Sequence, residues 1–179
     1  MKKSKDPKSS ASQGAGAARS MNATTPTVLH IDDDPNDSEL LEAALRKAAA
    51  GFTLHTVADG EEAMAYLNGQ GRYADRTRFR IPSLVLLDLK MPRATGFEVL
   101  KWIRGHTLFG NVPVIILSGS QCKDDVNAAY SAGANYYLVK PLGFAELVKL
   151  VKEIKSSWLS SHIRPATGQA HLLRVQENP

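Results

Sequence analysis

Short apolar runs and helical repeats take turns along most of this chain. Thr27–Ile31 (TVLHI) is a short apolar run, and Asp34-Pro35 then opens a helix. Aspartate as N-cap with proline in the first turn is a start signal, because proline's missing N–H has no partner to lose there. Leu40, Leu41, Ala44, Leu45 and Ala48 recur at helical spacing until Gly51 ends the run. Phe52–Val57 alternates as a strand, and Asp59-Gly60 turns into a helix carrying Ala63, Met64 and Leu67. Leu84–Leu87 is a third strand, and Phe97, Leu100 and Ile103 mark a third helix. Val112–Leu117 is a fourth strand, its proline near the start, followed by a weak helix over Asp124–Ala132. Tyr136–Val139 is the fifth strand. Phe144–Trp158 is the last helix, with Leu147, Leu150, Val151 and Ile154 on one face.

Five strands alternating with five helices predict an α/β fold: a doubly wound, five-stranded parallel sheet. Strands that are continuously apolar fit burial on both faces. The 179 residues suit one such domain with tails. Residues 1–25 are rich in Lys, Ser, Gly and Ala and are expected to be a disordered basic tail. The domain is expected over 26–158, with an extension of unassigned structure over 159–179.

Charge alters this picture in one respect. The formal net charge is +4, but five of the 22 basic residues and one of the 18 acidic ones fall within 1–25. The remaining 17 of each leave the body neutral, unlike a nucleic-acid-binding domain. The single cysteine, Cys122, allows no intrachain disulfide. No apolar run reaches the ~20 residues of a membrane span, and no hydrophobic segment follows the N-terminal lysines. These features predict a cytoplasmic protein without membrane or direct DNA contact.

The chemistry lies at the strand ends. In open α/β sheets ligands bind beyond the carboxyl ends of the strands. Strand one ends in Asp32, Asp33 and Asp34, strand three in Asp88, strand four in Ser118-Gly119, and strand five in Lys140-Pro141. Clustered carboxylates repel unless a cation neutralises them, and Mg²⁺ takes oxygen ligands. Lys140 can balance an anionic group such as a phosphoryl, Ser118 can donate to its oxygens, and Gly119 leaves room beside it. A carboxylate can itself accept a phosphoryl group as a nucleophile. The pattern therefore predicts Mg²⁺-assisted phosphoryl transfer to an aspartate.

IDDDP at 31–35, LLDLKMP at 86–92, VIILSG at 114–119 and YLVKP at 137–141 together resemble the receiver domain of two-component response regulators. The resemblance spans about residues 26–158. It implies a flavodoxin-like sheet with strand order 2-1-3-4-5 and a phosphoacceptor at Asp88. Asp32 and Asp33 match the acidic pair, with Asp33 a direct Mg²⁺ ligand and Asp32 acting largely through water. The backbone carbonyl of Lys90 matches a further metal ligand. Ser118 matches the switch hydroxyl, Lys140 the phosphoryl-binding lysine and Tyr137 the switch aromatic, expected to move inward on phosphorylation. Pro141 matches a structural proline, often after a cis bond in this family. Lys90 and Ser120 fall where the family varies its rates, and Asp34 has no family role beyond an N-cap.

The implied partners are a sensor histidine kinase or histidine phosphotransfer protein and a downstream protein, with a homodimer as a further candidate. The few residues after Trp158 suggest a receiver without an output domain, signalling through the face of the fourth helix, fifth strand and last helix. That face carries Tyr136, Tyr137, Val139, Phe144 and Leu147. The long loop 68–82, with Arg72, Arg76, Arg78 and Arg80, is similar to loops of stand-alone regulators partnered with phytochrome-like kinases. It suits a docking surface or a solvated loop. Activity is limited to the protein's own phosphorylation and dephosphorylation. An aspartyl-phosphate phosphatase of the haloacid-dehalogenase type would need an acid where Lys90 stands. A flavin module would need a phosphate-cradling loop in place of IDDDP. A degenerate receiver acting only by binding would not need Asp88, Ser118 and Lys140. His30 has no partner apparent in the sequence, His106 falls near a helix end, Cys122 lies near the active edge, and Trp102 and Trp158 suit packing.

Overall fold

The computed structural model describes residues 25–92 and 95–159. Five strands, β1 (Thr27–Ile31), β2 (Thr53–Val57), β3 (Leu84–Leu87), β4 (Val114–Ser118) and β5 (Tyr136–Val139), form one parallel sheet. Their order is β2-β1-β3-β4-β5, as expected. The helices between and after them are α1 (Pro35–Ala48), α2 (Gly60–Asn68), α3 (Gly96–Gly105), α4 (Lys123–Ser131) and α5 (Phe144–Ile154). The expected tail lies outside the described residues up to position 24, and the expected extension lies outside them from position 160.

The period-2 geometry of a strand distributes the apolar runs to both faces. Val28, Leu84, Leu86 and Ile115 meet Leu41 and Ala44 of α1 and Val151 and Ile154 of α5. Leu29, Ile31, Val85, Leu87 and Ile116 meet Leu67 of α2, Leu100 and Ile103 of α3 and Ala129 of α4. Each fully buried leucine or isoleucine contributes about 1.5–3 kcal/mol relative to exposure. The two-sided core therefore holds the central strands β1, β3 and β4, which are buried along their whole length. Among the described residues no helix is long and apolar enough to cross a membrane.

Several element boundaries differ from the sequence expectation. α1 stops at Ala48, and Ala49, rather than Gly51 alone, takes the left-handed conformation at φ 46°. β4 begins at Val114 because the Val112 N–H closes a turn on the Phe109 carbonyl and Pro113 has no N–H to give. α5 ends at Ile154, and the chain continues in a π-helical turn over Lys155–Leu159. Trp102 packs beside His106 and Phe109, and His106 is the C-cap of α3, as the sequence suggested.

Loop 68–82 is pinned rather than merely solvated. The Arg76 guanidinium donates to the carbonyls of Tyr66, Leu67 and Phe79, two of them in the last turn of α2. Tyr66, Tyr73 and Phe79 pack ring against ring, with Tyr66–Tyr73 centroids 5.1 Å apart. Tyr66 is fully buried, and its hydroxyl donates to the Arg80 carbonyl at 3.0 Å. Burial pushes its phenol up to about 12, although the nearby Arg76 charge opposes this.

A raised folded-state pKa means that the stabilisation is present below the unfolded value of about 10 and is lost as pH rises toward 12. Denaturant midpoints measured between those pH values should fall more steeply for the parent than for Tyr66→Phe. Parallel pH dependences would refute this.

Candidate functional site

β1 and β3 are neighbours in register, so their ends deliver Asp32 and Asp88 side by side. The Asp88 N–H donates to the Ile31 carbonyl at 2.9 Å, which continues the ladder into the site. Asp32 and Asp88 are buried, while Asp33 is exposed. Each offers one carboxylate oxygen, and these three oxygens lie within 4.8 Å of one another. Asp34 stays apart: it caps α1 by accepting from the Asn36 N–H at 2.8 Å.

Lys140 enters from the end of β5. Its Nζ donates to Asp32 Oδ2 at 2.8 Å and to Asp37 Oδ2 at 2.6 Å, and lies 3.4 Å from Asp88 Oδ2. Burial lowers the lysine's affinity for its proton, but the hydrogen bonds to Asp32 and Asp37 and the charges of Asp32 and Asp88 outweigh it. Lys140 is therefore held well above the ordinary lysine range. For Asp32 burial pushes upward, and hydrogen bonds from His30 and Lys140 overcome it and hold the carboxyl below the usual range. Asp32 thus stays ionised although only 2 % of its surface is exposed.

The sequence reading left out two residues that belong here. His30 is buried, and its Nε2 lies 3.3 Å from Asp32 Oδ2. Two residues along a strand share one face, so the i, i+2 spacing was a legible signal. Asp37 sits in the first turn of α1, where the Asp34-Pro35 start aims it back over the strand ends. Its link to Lys140, 103 positions away, had no local sequence signal.

The other expected residues have definite places. Ser118 is fully buried, and its hydroxyl accepts from the Ser120 N–H at 3.4 Å. A Cβ on Gly119 would meet no atom within 4 Å, so the glycine adjoins open space. The Ser120 hydroxyl donates to Asp125 Oδ2 at 2.5 Å and is turned toward α4. Tyr137, expected to move inward on phosphorylation, is already inward. It is buried, and its hydroxyl donates to the Ser120 carbonyl at 2.9 Å, which gives the inward rotamer a partner without any phosphoryl group. Pro141 follows a trans bond, the intrinsically favoured form, rather than the cis bond common in the family. Lys90 is exposed, Asp88 Oδ1 accepts from the Leu89 N–H at 2.7 Å, and Cys122 is an exposed N-cap residue of α4.

The donor set suits a hard divalent cation. Among the described residues three carboxylates converge, one ammonium faces them, and the cluster has no sulfur donor.

Comparison with known proteins agrees with this geometry. The response regulator receiver domain family matches residues 28–152. Response regulator Rcp1 of Synechocystis sp. is 37 % identical over 139 residues, covering 78 % of this chain and 92 % of Rcp1. A crystal structure of a phosphorylated cyanobacterial phytochrome response regulator, RcpA, superposes with a TM-score of 0.71 at 34 % identity. It covers 79 % of this chain and 99 % of RcpA. The crystal structure of the Mn²⁺-bound form of Rcp1 gives a TM-score of 0.68 at 35 % identity, with the same coverage.

Gly96 supports the site from behind. A Cβ there would collide with the Asp88 carbonyl oxygen and stand 2.8 Å from the Leu89 Cα. Gly96→Ala should therefore cost roughly 1–3 kcal/mol, the range for overpacking, and displace Asp88. Denaturation and phosphorylation by a small phosphodonor check this; an unchanged protein by both measures would contradict it.

Proposed function

The chain belongs to the response regulator receiver domain family, and from that premise we propose that Asp88 accepts a phosphoryl group with Mg²⁺ and that the loaded state is read by a protein partner. The observation that carries this reading is the placement of Asp88: a carboxylate at the end of a wholly buried strand, beside two further acids and 3.4 Å from the Lys140 ammonium.

Asp32, Asp33 and Asp88, with the Lys90 backbone carbonyl, would hold the ion. Bound Mg²⁺ supplies charge neutralisation for the crowded carboxylates and the incoming phosphoryl oxygens. The chain's own groups do the remainder. Asp88 Oδ1 is held by the Leu89 N–H, which fixes the carboxylate plane. Lys140 stands where phosphoryl charge would arrive. Ser118, at the end of β4, accepts from the Ser120 N–H and would donate its own O–H to a phosphoryl oxygen. That bond would draw in the β4–α4 loop, which Tyr137 already holds through the Ser120 carbonyl. Phosphorylation then reinforces an arrangement the resting protein already samples, a population shift rather than a new fold.

The receiving surface is the face of α4, β5 and α5, where Tyr130, Leu142 and Phe144 are exposed. Phosphoryl groups would come from a sensor histidine kinase or histidine phosphotransfer protein. The likeness to RcpA, a phytochrome response regulator, favours a kinase of the phytochrome type. Loop 68–82 offers a docking or homodimer surface at the opposite edge, and the chemistry is limited to the protein's own phosphorylation and its reversal.

Incubation with acetyl phosphate and Mg²⁺ should add one phosphoryl mass to the parent. Neither Asp88→Asn nor EDTA-treated parent should gain it. A parent that stays unlabelled at every Mg²⁺ concentration would sink the proposal. Lys90, exposed two residues from Asp88, should lengthen the phosphoryl lifetime through its charge. An exposed ion pair contributes under about 1 kcal/mol, so Lys90→Ala should shorten the lifetime by up to about fivefold. Equal decay of label in the two chains would show that Lys90 has no such role.

A further inference from the structure

We propose that Asp37 is a positioning residue: together with Asp32 it fixes the Lys140 ammonium so that its one uncommitted N–H faces Asp88. The inference rests on the reading of Asp88 as phosphoacceptor and adds a residue outside the acidic cluster.

An ammonium has three N–H donors. Lys140 spends two, on Asp32 Oδ2 at 2.8 Å and Asp37 Oδ2 at 2.6 Å. Its separation from Asp88 Oδ2, 3.4 Å, is too long for a charge-assisted hydrogen bond, which runs to about 2.9 Å. The third donor is thus left uncommitted, with Asp88 beside it. The two anchors come from different elements, Asp32 from the end of β1 and Asp37 from α1. Two fixed acceptors define the orientation of an ammonium that one would leave free to spin on its flexible stem.

Asp37 differs from Asp32 in an important respect. Asp32 is one of the three clustered carboxylates and is shared between Lys140, His30 and the proposed cation. Asp37 is outside that cluster, so its hold on Lys140 is uncontested when the cation is present. Its alternative task, as an acid in the first turn of α1, concerns helix stability alone. Asp34 already caps that helix.

In the reaction an Asp88 oxygen attacks phosphorus in acetyl phosphate. A P–O bond forms to Asp88, the P–O bond to the acetyl oxygen breaks, and acetate leaves with that electron pair. The uncommitted N–H of Lys140 meets the phosphoryl oxygens during this transfer. Without Asp37 the ammonium would have to be oriented at that moment.

The test uses the full chain, acetyl phosphate as probe and saturating Mg²⁺, with labelling followed by intact mass. Asp37→Ala should lower kcat/KM for labelling by about five- to tenfold, and Asp37→Asn, which keeps an acceptor, should lose less. The Lys140→Ala chain, labelled over hours, should show no further loss when Asp37→Ala is added, because Asp37 acts through the lysine. Mg²⁺ affinity by calorimetry should stay unchanged in Asp37→Asn. Labelling of Asp37→Ala at the parental rate would overturn the proposal, as would the same fold-loss in the Lys140→Ala background. An unlabelled parent would instead overturn the reading of Asp88 itself.

Discussion

Repulsion among carboxylates is the constraint on which this molecule is organised. Asp32, Asp33 and Asp88 crowd into one corner, two of them buried, at the end of a sheet whose interior excludes water. Such a cluster persists only with positive charge fixed close by. Lys140 provides it from the end of the edge strand β5, and Asp37 ties that lysine down. Among the described residues the arrangement is under-compensated: four carboxylates face one ammonium. The remaining negative charge is what makes the corner a place for a cation.

The sheet makes that corner possible. Parallel strands all point one way, so acids spaced 56 positions apart, Asp32 and Asp88, arrive together without any loop having to carry them. The apolar residues ahead of them anchor both carboxylates through backbone ladders rather than mobile side-chain contacts. Gly96 shows how tight the fit is, since even a methyl group there would strike the Asp88 carbonyl.

Much of this was readable from the sequence, for identifiable reasons. The parallel sheet and the converging acids followed from apolar runs that end on charged residues, while the strand order followed from the resemblance to receiver domains. The Asp34 cap followed from the proline after it. What escaped reading were contacts between residues far apart in the chain or dependent on side-chain direction. The Asp37–Lys140 pair joins the first helix to the last strand. Arg76 looked like one charge among four in a long loop until its three carbonyl partners were seen. Tyr137 looked like a residue waiting to move, and only the placement of the Ser120 carbonyl shows why it rests inward. His30 was within reach of a strict period-2 argument, which its apolar surroundings obscured.

The two networks at the active edge sit on opposite sides of the sheet. Lys140, Asp37 and Asp32 gather toward α1, which packs with α5. Tyr137 belongs to the other core, with α3 and α4, and reaches Ser120 and, through it, Asp125. The ends of β4 and β5 join them: Tyr137 and Lys140 lie three positions apart, and the Lys140 N–H donates to the Ser118 carbonyl at 2.9 Å. On the proposed function, loading and reporting would therefore fall on opposite faces of one sheet and meet where β4 and β5 end. Each face could then drift in strength over evolution, giving a slow loader that reports firmly or a fast loader that reports faintly.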